Sequence, residues 1–151
     1  MASRVSVIIV VFTLLFAASV LYYSSQRSYG SGTETTTISG ITCSSYSNSF
    51  TIIASQSGYN DSIGQGAPKK LWPILCVHLG ESIKITVMNE DIVEPHGFAI
   101  AHYDEAGVTV LPGRSVVLTF FADAPGDFRI YCNVICAIHP FMQSGLLVVS
   151  N

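Results

Sequence analysis

Side chains of different character alternate along residues 82–87 and 115–120, and no other feature constrains the fold as strongly. Ile83, Ile85 and Val87 are interleaved with Ser82, Lys84 and Thr86, and Val116, Leu118 and Phe120 with Ser115, Val117 and Thr119. A period of two sends successive side chains to opposite faces of an extended backbone, so these segments are half-buried strands. Further strand-like runs span residues 50–54, 97–101, 108–111, 126–131 and 145–149. Turn signals separate them: Gly80 with Glu81, Asn89 with Glu90 and Asp91, Pro112 with Gly113, and Pro125 with Gly126 and Asp127. Short strands at this spacing, with no helical periodicity, predict an all-β sandwich or barrel. Residues 58–71, rich in Gly, Asn, Asp, Ser and Lys, resemble none of the flanking strands and read as an inserted loop.

The beginning of the chain follows a different rule. Residues 5–23 are nineteen positions without a charge, bounded by Arg4 and Arg27 and closing on Tyr22 and Tyr23. A helix of that length crosses the hydrocarbon layer of a bilayer, and tyrosines suit its interface. The competing reading is a cleaved signal peptide, for which Ala17, Ala18 and Ser19 supply small residues, but the apolar segment exceeds the usual length of such a signal. Either reading puts the remainder outside the cytoplasm, while one Arg on each flank leaves the direction of insertion open on charge alone. The expected organisation is a single-pass transmembrane helix in residues 1–25, a Ser- and Thr-rich flexible tether in 26–39, and one folded domain in 40–151 on the extracytoplasmic side of the cell membrane. Only 7 Lys and Arg stand against 10 Asp and Glu, with no basic run, so a nucleic acid is excluded as partner.

Chemistry is concentrated just before the last predicted strand. Cys132, Cys136, His139 and Met142 lie within one short segment. Soft thiolate and thioether donors together with imidazole select copper or zinc over oxygen-seeking cations, and a Cys with two His and a weak Met is an electron-transfer copper arrangement. One more imidazole is needed, and His96, at the head of a predicted strand, is its natural source because a sandwich gathers strand ends at one pole. The bland alternative for Cys132 and Cys136 is a short-range disulfide or a pair of buried thiols. No general base or open substrate position accompanies these residues, which argues against hydrolytic or redox catalysis by the chain alone.

These residues carry a resemblance. Asn89, Glu90 and Asp91, then Pro95, His96, Gly97 and Phe98, then Val110 to Gly113, then Gly126, Asp127, Phe128, Arg129, Ile130, Tyr131, Cys132 and Asn133, and finally Cys136, His139 and Met142 are similar to the copper domain of subunit II of haem-copper terminal oxidases. The similarity runs from about residue 50 to 149 and is nearest to the compact prokaryotic kind with a single anchor. It implies a cupredoxin-like Greek-key β-sandwich or barrel behind one N-terminal transmembrane helix. It also implies two copper ions bridged by both thiolates in a CuA-type centre, with His96, Cys132, the carbonyl of Val134, Cys136, His139 and Met142 as ligands. The implied partners are the catalytic subunit I in the membrane, which holds haem, and an external electron donor, either cytochrome c or a blue-copper protein.

One departure keeps alternatives open. The family places three residues between the second Cys and the His, whereas only Ala137 and Ile138 separate Cys136 from His139, a spacing that resembles the loop of amicyanin with its single copper. A membrane-anchored mononuclear blue-copper carrier is therefore one alternative, although Cys132 has no role in it. A quinol-oxidase subunit that has lost its copper is the other. Cys43 and Cys76 stand apart from the ligand set, and an even pair outside the cytoplasm predicts a structural disulfide. His78 and His102 lack companion donors and read as surface imidazoles or as neighbours of the ligands rather than ligands, Met88 as core, and Trp72 as packing or as an aromatic at a docking face. Glu81, Glu90, Asp91, Glu94, Asp104 and Glu105 read as an acidic docking face or an ordinary solvated surface, and Asn60 with Asp61 and Ser62 fits a glycosylation acceptor.

Overall fold

The computed structural model describes residues 40–151. Nine strands follow in order: β1 Ser49–Ser55, β2 Gly58–Tyr59, β3 Ile74–His78, β4 Ser82–Asn89, β5 His96–Ile100, β6 Asp104–Val110, β7 Ser115–Phe121, β8 Gly126–Tyr131 and β9 Gly145–Ser150, with a 3₁₀ turn at His139–Met142. They form a four-stranded sheet, β2-β1-β4-β7, and a five-stranded sheet, β3-β9-β8-β5-β6. β1 runs parallel to β4 and β3 parallel to β9, and the other pairings are antiparallel.

The alternation read from β4 is the alternation observed: Ile83, Ile85 and Val87 are fully buried while Ser82, Lys84 and Met88 face outward. Together with Ile52 and Leu118 they meet Val77, Phe98, Ile100, Ile130, Leu147 and Val149 of the other sheet in a single apolar cluster, which makes the described domain a sandwich. Met88 is a correction, because it lies on the outer face, 40% exposed, rather than in the core. Cys43 and Cys76 are joined by a disulfide that fastens the start of the domain to β3.

The segment read as an inserted loop is partly structural. Its first two residues form β2, pairing with the end of β1 through Ala54 opposite Tyr59, and Tyr59 is fully buried in the core. Gly58 holds a positive φ of 84°, and a Cβ there would lie 1.9 Å from Ser62 Oγ, so the tight return after β1 requires glycine. Trp72 closes the segment, its indole N–H donating to Asn60 O at 2.8 Å and its backbone N–H to Ser144 O at 2.9 Å. Among the described residues no helix is long and apolar enough to cross a membrane. The predicted anchor and tether lie outside the described residues.

Candidate metal centre

β8 ends at Tyr131 and β9 begins at Gly145, and the antiparallel ladder between them, with Ile130 opposite Gly145, holds the two ends of the intervening loop side by side. The loop is folded on itself by its own backbone: His139 N–H donates to Cys136 O at 3.1 Å, Phe141 N–H to Ile138 O at 3.0 Å, and Cys132 N–H to Met142 O at 2.9 Å. Pro140 falls in the first turn of the 3₁₀ segment, where its missing N–H costs nothing. The loop's first and last sulfur residues are thereby brought back to back.

The donors converge accordingly. Cys132 and Cys136 are both free thiols, and their sulfurs and a His139 ring nitrogen lie within 4.8 Å of one another. Met142 is fully buried with its Sδ 3.9 Å from Cys136 Sγ. The Val134 carbonyl accepts from the Cys132 thiol at 3.0 Å and from His139 Nδ1 at 2.9 Å. The structure thus gathers five of the sequence-predicted ligands in one loop and leaves His96 outside the compact group of three. His96 opens β5, fully buried, and the next residue's N–H reaches the site: Gly97 N–H donates to Cys132 Sγ at 3.2 Å. Backbone lies so close here that a Cβ on Gly97 would stand 2.0 Å from Asn133 Oδ1 and 2.7 Å from Val134 N.

The surroundings are hydrogen-bonded from every side. Gln143 Nε2 donates to Cys132 O at 2.9 Å and lies 3.1 Å from His139 Nε2, while Arg129 Nη2 donates to Gln143 Oε1 at 2.7 Å and Arg129 Nε to Gln143 O at 2.9 Å. Asn133 Nδ2 donates to Ala106 O at 2.7 Å, and the Ala137 N–H donates to Glu94 Oε2 at 3.0 Å. The Tyr59 hydroxyl donates to Gly97 O beneath the site. Asp91 is a correction to the acidic-face reading: its side chain is 1% exposed and its Oδ2 faces His96 Nε2 at 3.2 Å. Glu94 is half-buried and committed to the loop. His78 and His102 are surface residues as expected, His78 stacked on Tyr46 and His102 3.2 Å from Asp123.

Electrostatics mark the same spot. Burial, followed by the neighbouring Cys132, pushes the Cys136 thiol up to about 12. Burial, then the charge that Cys132 can carry, also holds the Tyr59 phenol well above its ordinary value. Asp91 goes the other way. Burial raises its carboxyl, but hydrogen bonds from Val93 and Glu94 N–H, from His96 and from Gln56 together outweigh burial and leave it below the usual carboxylate value.

Three observations fit a bound soft metal ion. The half-buried Cys136 thiol, set beside Cys132, resists ionisation unless a cation compensates it. The donors are sulfur and imidazole, the set that copper and zinc prefer. His96 Nδ1 is buried with no hydrogen-bond partner, a condition that a ligand bond relieves. Asp91, Gln143 and Tyr59 escaped the sequence reading as parts of the site. Asp91 carried a usable signal, since it precedes a candidate ligand by five positions in a turn-rich stretch. The roles of Tyr59 and Gln143 depend on tertiary contacts that no spacing reveals.

No family model matches the chain. Among curated proteins it is 40% identical over 72 residues to nitrous-oxide reductase of Ralstonia nicotianae and 36% identical over 72 residues to that of Cupriavidus necator. The matched stretch is 46% of this chain and 11% of either relative, so the chain spans about a tenth of their length. Among solved structures, auracyanin from Roseiflexus castenholzii superposes with a TM-score of 0.54 at 19% identity, covering 71% of this chain and all of that one. The copper nitrite reductase of Nitrosomonas europaea gives 0.50 at 21% identity over 68% of this chain and 41% of that one. Strand order, the sheet-to-sheet core and these superpositions agree that the described domain has the cupredoxin-like fold, with its sulfur-bearing loop between β8 and β9.

Proposed function

We propose that the domain is a one-electron relay built on a dinuclear copper centre, serving as subunit II of a haem-copper terminal oxidase on the outer side of a membrane. The observation that carries the reading is the convergence of two free thiols with His139 in one loop, beside a buried His96 whose Nδ1 has no partner. Copper, when bound, supplies a one-electron redox couple. Cys132, Cys136, His96 and His139 would hold the two ions, with Met142 and the Val134 carbonyl as weaker donors.

The chain's own contribution is stiffness. Arg129 and Gln143 brace one side of the loop, Glu94 and Asn133 brace another, and Gly97 lets β5 lie against it, so the donors hold their places whichever charge the centre carries. Such constraint keeps the cost of electron exchange low. Ile135 is 92% exposed at the tip of the loop, and Ile92 and Val93 are exposed before β5, which suits brief apolar contact with an electron donor such as cytochrome c or a blue-copper protein. The acceptor would be haem in the catalytic subunit, with residues 5–23 anchoring the domain beside it. Similarity to nitrous-oxide reductases supports the copper-domain reading; the activity in their name is not carried to this chain, which matches a small part of them.

A second reading, a mononuclear carrier, is favoured by the two-residue spacing between Cys136 and His139. Copper analysis with electron paramagnetic resonance of the loaded, oxidised protein separates them. Two ions per chain, with hyperfine splitting from two nuclei, is the expected result. One ion with splitting from a single nucleus establishes the second reading, and failure to take up copper defeats both. Co-purification of a haem-containing partner after mild detergent extraction tests membership of an oxidase.

A further inference from the structure

Asp91 is a carboxylate where carboxylates are rarely found, 3% exposed in the loop before β5 at the edge of a cleft it shares with Ala137 and Ile138 of the sulfur-bearing loop. Its two oxygens have separate tasks. Oδ1 accepts the N–H groups of Val93 at 2.8 Å and Glu94 at 3.2 Å, which shapes the turn. Oδ2 faces His96 Nε2 at 3.2 Å, with the imidazole fully buried. The backbone around the carboxylate is fixed as well. Asn89 Oδ1 accepts the Asp91 N–H at 2.9 Å, and Asn89 Nδ2 donates to Glu94 O and Val110 O, each at 2.9 Å. Glu94 in turn accepts the Ala137 N–H, so the segment that holds His96 is tied to the loop that carries the other donors.

A carboxylate has lone pairs and no hydrogen to give, so the atom facing it must be a donor. His96 therefore carries its proton on Nε2, and the lone pair of the neutral ring is on Nδ1. That is the atom left buried without a partner. Turn formation alone needs only Oδ1; it gives no account of why the second oxygen is spent on a buried imidazole.

We infer that Asp91 is the positioning residue of the metal centre, selecting the His96 tautomer that presents Nδ1 to copper and, through its negative charge, strengthening that nitrogen as a donor. The inference rests on the copper-relay reading and assigns Asp91 no contact with the metal. A carboxylate behind a ligand imidazole raises its basicity and fixes its orientation, and loss of such a partner commonly costs roughly 10- to 100-fold in metal affinity. A more basic imidazole also favours the more highly charged oxidised ion, so Asp91 holds the reduction potential down.

Asp91→Asn is the discriminating variant. It keeps an oxygen for the Val93 and Glu94 N–H groups but turns an NH₂ toward Nε2, which forces that nitrogen to accept and moves the proton to Nδ1. The expected result is a metal-free protein that still unfolds cooperatively, binds copper at least tenfold more weakly than wild type and, when loaded, has a higher reduction potential. A variant with wild-type affinity and potential overturns the inference. Should the variant fail to fold, nitrogen-15 NMR of metal-free wild type decides: a His96 proton on Nε2 supports the inference, and one on Nδ1 overturns it. Wild-type protein that takes up no copper defeats the relay reading itself, whereas wild type and D91N binding equally well defeats only the role of Asp91.

Discussion

The Tyr59 hydroxyl is buried under the site and donates to the carbonyl of Gly97, the residue whose own N–H donates to Cys132 Sγ. Removing that hydroxyl leaves a buried carbonyl short of a donor. Tyr59→Phe is therefore expected to lower the stability of the metal-free domain by about 1–3 kcal/mol, read as an earlier urea midpoint at unchanged slope. Residues of this kind explain what was and was not legible in the sequence. Cys132, Cys136, His139 and Met142 could be picked out because contiguous soft donors are rare and their spacing is visible. Tyr59 could not, because it lies among Gly, Asn, Asp and Ser and owes its burial to a two-residue strand. Asp91 was read as surface charge, since acidic residues in turns usually are; only the buried imidazole opposite makes it otherwise. Met88 was misread although the signal was present: with Ile83, Ile85 and Val87 inside, a period of two places position 88 outside.

Among the elements, β5 and β8 do most to define the site. They are hydrogen-bonded through Ala99 with Tyr131 and Ile100 with Ile130, which brings the start of one beside the end of the other. Contact is closest at Gly97, where the atoms a Cβ would strike include the backbone nitrogens of Asn133 and Val134. Backbone cannot swing aside as a long side chain can. Gly97→Ala should destabilise the domain by about 1–3 kcal/mol and displace the loop enough to abolish copper uptake, checked by denaturation and by metal titration.

The packing of Tyr103 gives a test well away from the metal. Its ring lies against His102, Phe120 and Phe128, and its hydroxyl donates to Ala124 O at 3.0 Å. Burial, with the charge of Asp123 adding to it, raises the phenol above its reference value of 10.0. A group whose folded value is raised contributes stability that is complete below the unfolded value and is lost as pH rises toward the folded one. Wild type should consequently lose more thermal stability than Tyr103→Phe once the pH passes about 10, with the two falling in parallel below it. Equal alkaline losses would refute this. The strand pattern that frames these contacts was largely readable, while β2 and β3 were missed because one is too short for periodicity and the other, buried over Leu75, Cys76 and Val77, shows no alternation.

At the scale of the whole domain, the Cys43–Cys76 bond ties a poorly packed beginning to β3, with a sequence separation of 33. Chain-entropy reasoning for a closed loop of that size predicts that Cys43→Ala with Cys76→Ala costs about 4 kcal/mol, measured by urea denaturation, without altering copper stoichiometry, because the bridge and the donor loop are distinct. That separation has a counterpart in the donor loop. Its ends are clamped by the β8–β9 ladder, while its interior is held by bonds within the loop, by one to Ala106 of the edge strand β6 and by one to Glu94 before β5. Such a stretch can change length without disturbing the sheets that carry it. Adding one residue between Ala137 and Ile138 should leave the sandwich's melting behaviour almost intact while altering the spectrum of the bound metal, since the scaffold acts as a socket and the loop as an exchangeable insert.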